Sequence, residues 1–381
     1  MASYRNKRGI FGLRDVSRRQ RFGNWTVKNE VWLPPSSFLS THSFGYIAGG
    51  TTSETSIDRI DYSNDTATAL LRGSFPTSNK MVSGAASSSN NFGYFAGGRK
   101  YPGGSRSSTI NRIDYTNDTA TTSLRGPLTA ATRYLGGTGN INFGYFALGD
   151  VGPNSSAVDR VDYSNDTATA SPKGPLSEER GGMGAAGNAD FGYFGGGSTP
   201  GEVSTVDRID YSNDTATAPA KGPLSFSRFR VNATGNSDFG YFGGGFSLSL
   251  PGYYSTIDRV DYANDTATAA AKGPMSTAKG YYGATGNASF GYFGGGYTGS
   301  EVSTVDRVDY SNDTATTSVR GPLSSGRLGL EGFSAQANAI TAGMLNPSVT
   351  PRPVIPQGTD FGYMIGGEVS GSSKSKIERI D

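Results

Sequence analysis

Short runs in which apolar and polar positions alternate cover most of this chain, and no segment keeps a helical period over 11 residues. Phe239-Gly240-Tyr241-Phe242 alternates aromatic residues with small ones and ends in Gly243-Gly244-Gly245. Ile257-Asp258-Arg259-Val260-Asp261-Tyr262 alternates β-branched with charged positions. Asn264-Asp265 reads as a turn, since both side chains bond their own backbone and tolerate left-handed conformations. Thr266-Ala267-Thr268-Ala269 is the expected hairpin partner running back. With Ala233-Thr234-Gly235 ahead of a turn at Asn236–Asp238, the pattern predicts four short strands in one unit.

The unit recurs. Phe-Gly-Tyr followed by a glycine-rich step starts at Phe44, Phe92, Phe143, Phe191, Phe239, Phe290 and Phe361, with spacings of 48, 51, 48, 48, 51 and 71 residues. An Asp-Arg-Ile/Val-Asp-Tyr string or a variant follows each copy, as at Asp58–Tyr62 and Asp207–Tyr211, with Asn111 leading it in the second copy, and the last copy, Ile377 to Asp381, stops at the chain end. Gly-Pro-Leu or a variant comes next, as at Gly222-Pro223-Leu224. A basic residue then precedes a small-residue stretch, at Arg133, Arg180, Arg228, Lys279 and Arg327. Four strands per unit in tandem predict an all-β fold, a β-propeller, rather than a helical solenoid.

Seven aromatic strands but six Thr-Ala-Thr strands predict seven blades with one outer strand missing. Trp25–Leu33, followed by Pro34-Pro35, is the candidate that closes the ring beside Ile377–Asp381, which would remove the exposed edges of an open array. The 71-residue step hides an insertion at about 337–358, with four prolines between Gly343 and Gly358, that reads as a surface loop. The expected organisation is a basic arm at 1–24 and a propeller at 25–381.

These residues resemble Kelch repeats. Arg228, Tyr241 with Gly244-Gly245, and Asp258 through Asp265 stand where Kelch blades carry their Arg, their aromatic strand with a glycine pair, and their turn. The usual Trp of the outer strand is replaced here by Thr-Ala-Thr-Ala.

Composition narrows the chemistry. The 381 residues include 56 Gly, no Cys and one His. Thiolate metal sites, Fe–S clusters, disulfides and a Cys nucleophile are excluded, as is a multi-His metal site. No apolar run approaches 18 residues, so no membrane insertion is expected. Charge is uneven: eight Lys/Arg against Asp15 and Glu30 give residues 1–30 a net +6, while the whole chain is +2. In the arm, Arg5, Arg8, Arg14, Arg18, Arg19 and Arg21 interleave with apolar residues such as Phe11, a pattern suited to docking on a protein partner.

Several groups invite a catalytic or metal reading. Asp61-x-Ser63-x-Asp65 partly matches an oxygen-rich metal loop, yet it recurs in near-identical copies, as a blade element would. His42 is unaccompanied by a nucleophile elbow. Glu54, Asp150, Glu202, Glu301 and Glu368 fall in the loops after the glycines, and a pair of them could in principle hydrolyse glycosides. The favoured reading has no catalytic residue, no metal and no cofactor. Tyr101, Phe246, Tyr253, Tyr254 and Tyr297 sit in the same loops, outside the repeat strands, and are the candidate ligand-binding residues, suited to stacking on sugars or protein.

The repeat unit also resembles repeats of marine bacteriophage structural proteins, cyanophage ones especially, and Gly12–Val16 with Gly23-Asn24-Trp25 looks like their leader segments. This resemblance implies a non-enzymatic virion protein, a tail, fibre or particle-surface component present in multiple copies. Its arm would dock on other virion proteins and its loops would meet host-surface polysaccharide. The alternatives are a cytoplasmic Kelch-type interaction scaffold and a carbohydrate-active enzyme using the acidic rim.

Overall fold

The computed structural model describes residues 43–50, 55–76, 81–82, 85–89, 91–100, 104–249 and 252–334, and the backbone of two strands at Gly362–Val369 and Ser372–Ile380. The described chain forms six antiparallel blades, each ordered from inner to outer strand. Blade 3 is typical: Gly136–Gly139, Phe143–Ala147, Val158–Asp162 and Ser171–Lys173 pair in sequence. The aromatic strands bury at four of five positions because sheets pack on both their faces. In blade 4 the outer strand shrinks to a single bridge, Asp207 to Ala220.

The ring closes at six blades, not seven. Leu330–Phe333, the last inner strand, pairs with Phe44–Gly49 of the first copy, with Tyr46 opposite Phe333 and Gly49 opposite Leu330. The seventh copy forms a separate hairpin, Gly362–Val369 with Ser372–Ile380, which pairs with no ring strand among the described residues. Tether length supplies the reason. In blades 2 to 6 three residues separate the inner strand from its aromatic strand, but 27 lie between Phe333 and Phe361. A tight turn enforces pairing within a copy; a long insertion leaves Leu330–Phe333 free to pair elsewhere. Trp25–Leu33, expected to close the ring, lies outside the described residues.

The Asp-Tyr-Ser-Asn-Asp string builds the blade interfaces. Its first Asp caps a short 3-10 turn: the Asp162 side chain accepts from the Ser164 backbone N–H and hydroxyl. Its second Asp reaches the preceding blade. Asp214 accepts from the Tyr145 hydroxyl at 2.9 Å and Arg160 at 2.7 Å, with Lys173 at 3.3 Å. The same set recurs at Asp118, Asp166, Asp265, Asp313 and Asp65. Its Tyr stacks on the Tyr of the neighbouring aromatic strand at all six interfaces, as Tyr211 does on Tyr145 with centroids 4.6 Å apart. Each such pair adds about 0.5–1.5 kcal/mol beyond its buried area. Arg160 and its counterparts also lie over the leading Phe of their own aromatic strand.

Thr-Ala-Thr-Ala is not the outer strand. In blade 5 the outer strand is Ala270–Ala271, and Thr266–Ala269 belongs to the turn. Its backbone serves the interface instead. A Cβ on Gly222 of the preceding Gly-Pro-Leu would sit 1.8 Å from the Ala267 carbonyl oxygen, and Ala269 N–H donates to Pro223 O. Only glycine permits that approach.

Candidate functional site

Strand direction sorts the loops onto two faces. The Asn turns and the Asp-Tyr-Ser-Asn turns lie on one. The glycine-step loops and the links into the inner strands share the other, zipped by bridges such as Arg133 to Asp150 and Phe229 to Phe246. Side chains repeat on the first face and vary from blade to blade on the second, so the glycine-loop face is the candidate site.

Beneath that face the basic residue of the link is buried and spent on structure. Arg180 pairs with Asp207 at 2.8 Å, Arg228 with Asp258 at 2.9 Å, Lys279 with Asp306 at 2.9 Å, and Arg327 with Asp58. Arg133 does not belong to this series. The equivalent position in blade 3 is Thr132, four residues before the inner strand as Arg180 is. Asp159 is therefore buried without a cation, bonded to the Thr129 N–H and hydroxyl, and burial pushes its carboxyl up. Arg133 instead joins Arg106 on Asp150 at the rim, at 2.7 and 2.6 Å. Burial opposes ionisation of Asp150, but the two arginines outweigh it and hold its carboxyl below the usual range.

Three of the acidic loop residues are described, each in a different blade. Asp150, Glu202 and Glu301 belong to blades 3, 4 and 6. Asp150 is held by its arginines, and Glu202 is bound by the Leu248 N–H and the Ser249 hydroxyl of the next blade, the Leu248 bond chiefly lowering its carboxyl. The side chains of Glu54, Glu368 and His42 lie outside the described residues. The oxygens of the Asp61-x-Ser63-x-Asp65 loop are engaged too: Asp61 caps Ser63, and Asp65 serves Tyr292 and Arg307. Among the described residues no cluster of three or more His, Asp or Glu could hold a metal ion.

Of the aromatic candidates, three come together. Phe246 packs on Tyr253 at 5.0 Å and on Phe229 at 5.8 Å, and Tyr253 meets Tyr297 at 5.7 Å. All are partly exposed, so the loops of blades 5 and 6 present a continuous aromatic surface. Tyr254 packs on Phe226 at 4.8 Å. Tyr101 and the arm residues Arg5, Arg8, Phe11, Arg14, Arg18, Arg19 and Arg21 lie outside the described residues.

The structure adds a second group at the channel mouth. One position, two residues before the first channel-facing residue, is left-handed in five blades. It is Gly182 and Gly329 in two of them, but Tyr134, Arg230 and Tyr281 in three, with φ of 59°, 58° and 62°. A side chain there costs roughly 1–2 kcal/mol. Arg230 lies over Phe229 and Tyr281, 4.6 and 4.0 Å from the ring centroids, and burial lowers its guanidinium from the usual value. Two residues on, where three of the other inner strands have glycine (Gly136, Gly184 and Gly283), Asn232 and Glu331 face the channel and bond across its mouth at 3.2 Å. Burial pushes the Glu331 carboxyl well up, with the Asn232 bond opposing. Inside, small residues such as Ser87, Gly137, Thr138 and Thr234 leave a cavity of about 30 Å³, room for a water or two. Ligand access therefore stops at the rim. Comparing the copies at this step shows the signal: a glycine position occupied by Tyr134, Arg230 and Tyr281.

No protein-family model matches the chain, and no curated protein matches it. Solved structures do. That of YjhT aligns over 74% of this chain and 95% of its own, with a TM-score of 0.59 and 13% sequence identity. At that identity the likeness shows the fold alone, a β-propeller. Among the described residues no helix is long and apolar enough to cross a membrane.

Proposed function

We propose that this chain is a non-catalytic binding protein whose glycine-loop face meets a polysaccharide. One observation carries the reading: the charged groups of the repeat are spent between blades, while Phe229, Phe246, Tyr253 and Tyr297 form a partly exposed aromatic surface on the face that varies. Rings held by a rigid sheet scaffold stack on sugar faces at little ordering cost. From the repeat resemblance we further infer a virion setting: a tail, fibre or particle-surface component that attaches to host glycans, its basic arm docking on particle proteins.

The test is a binding titration of the full chain against a panel of purified bacterial surface polysaccharides. The reading expects at least one to bind, and Phe246→Ala with Tyr253→Ala to weaken it at least tenfold at unchanged melting temperature. Failure of every polysaccharide to bind, or release of reducing sugar from one, contradicts it.

A further inference from the structure

Beside the channel mouth lies a hollow of about 180 Å³, lined by Tyr134, Asp150, Asn154, Ser198, Phe229 and Arg230. That is roughly six waters' worth of liquid volume, the size of one sugar ring. Among the described arginines only Arg99 and Arg230 make no ion pair with another described residue, and Arg99 is exposed whereas Arg230 is half-buried.

The faces of the Arg230 guanidinium are covered by Phe229 and Tyr281. Stacking covers only the faces; the Tyr134 hydroxyl takes one in-plane N–H, and the rest of the planar fork matches a carboxylate. The other wall carries acceptors and small dipoles. Asp150 is neutralised by Arg106 and Arg133. Asn154 donates to Ser198 O at 2.8 Å, which fixes its amide in the wall. A neutralised carboxylate and an amide suit hydroxyl groups. A left-handed backbone at Arg230, where two other blades have glycine, shows the side chain kept against its conformational cost.

We propose that this hollow binds a carboxylated sugar unit, a uronate, with Arg230 holding the carboxylate and Asp150 and Asn154 facing the hydroxyls. The inference deepens the polysaccharide reading and rests on it for the sugar, but its site is separate from the aromatic surface.

Calorimetric titration of the full chain with D-galacturonate and D-glucuronate tests it, with D-galactose, D-glucose and inorganic phosphate as comparison probes. The expected result is uronate binding at least tenfold tighter than neutral sugar or phosphate. Arg230→Gly, which fits the left-handed backbone, should abolish the preference without lowering the melting temperature, and Arg230→Lys should keep only part of it. No uronate binding, equal binding of phosphate, or a preference that survives Arg230→Gly overturns the proposal. Polysaccharide binding that ignores charge and Arg230 would overturn this site alone; uronate binding without any polysaccharide binding would overturn the broader reading alone.

Discussion

Arg307 of the sixth blade bonds Asp65 of the first, Nη1 to Oδ2 at 2.8 Å, across 242 residues of chain. Tyr292 and Arg320 reach the same carboxylate. This contact is the copy, at the seam, of what joins every other pair of blades, so no place is left there for a seventh. Asp65→Ala should cost about 3 kcal/mol, since it strands three donors, and Asp214→Ala should cost the same. A chain ending at Ser334 should melt as the full chain does. Thermal unfolding checks all three; a truncated chain that loses cooperativity would contradict six-blade closure.

Tyr262 predicts a gain. Its hydroxyl is buried and has no partner, because the facing residue is Ala186. The equivalent pairs are Tyr163 with Ser87 and Tyr62 with Thr285, at 3.0 and 2.9 Å. Ala186→Thr restores the missing acceptor and should stabilise the fold by about 1 kcal/mol. Chemical denaturation gives the number, and a loss of stability would show that the site cannot take the hydroxyl.

The buried carboxylates of the third strands should respond in opposite directions. Asp159 has no cation, so Asp159→Asn removes a charge held against burial and should stabilise by about 1 kcal/mol at neutral pH. Asp207→Asn strands Arg180 and should destabilise by about 3 kcal/mol. Equal effects of the two substitutions would refute the distinction.

Glu331 sets a pH dependence. Its folded pKa lies well above the ordinary 4.5, so the neutral acid is favoured by folding. That contribution is complete below the unfolded value and is lost as pH rises through the folded one. Glu331→Gln should therefore match the parent chain in acid and exceed it increasingly toward neutral pH. Parallel stability–pH curves for the two chains would exclude a raised carboxyl at the channel mouth.

The alternation in Phe239–Phe242 and Ile257–Tyr262 made the blade legible, because each strand buries a fixed face. Blade number was not legible from the copies. It depends on which strand Leu330–Phe333 joins, and that is decided by the length of the following insertion and by the Arg307–Asp65 contact. Thr-Ala-Thr-Ala looked like a strand by composition but acts through its backbone against Gly-Pro-Leu. Phe246, Tyr253 and Tyr297 stood out because aromatics in loops are conspicuous. Arg230 did not stand out alone, since its meaning lies in a left-handed backbone and a missing carboxylate; only alignment with Gly182 and Gly329 of the other copies marks the position.

The most direct measurement is hydrogen–deuterium exchange of the full chain with and without the tightest polysaccharide of the binding panel. Protection confined to the links and loops around 228–231, 246–254, 281–282 and 297–303 is the predicted result. Protection centred on the Asp-Tyr-Ser-Asn turns of the opposite face, with those loops unchanged, would contradict the assignment of the binding face.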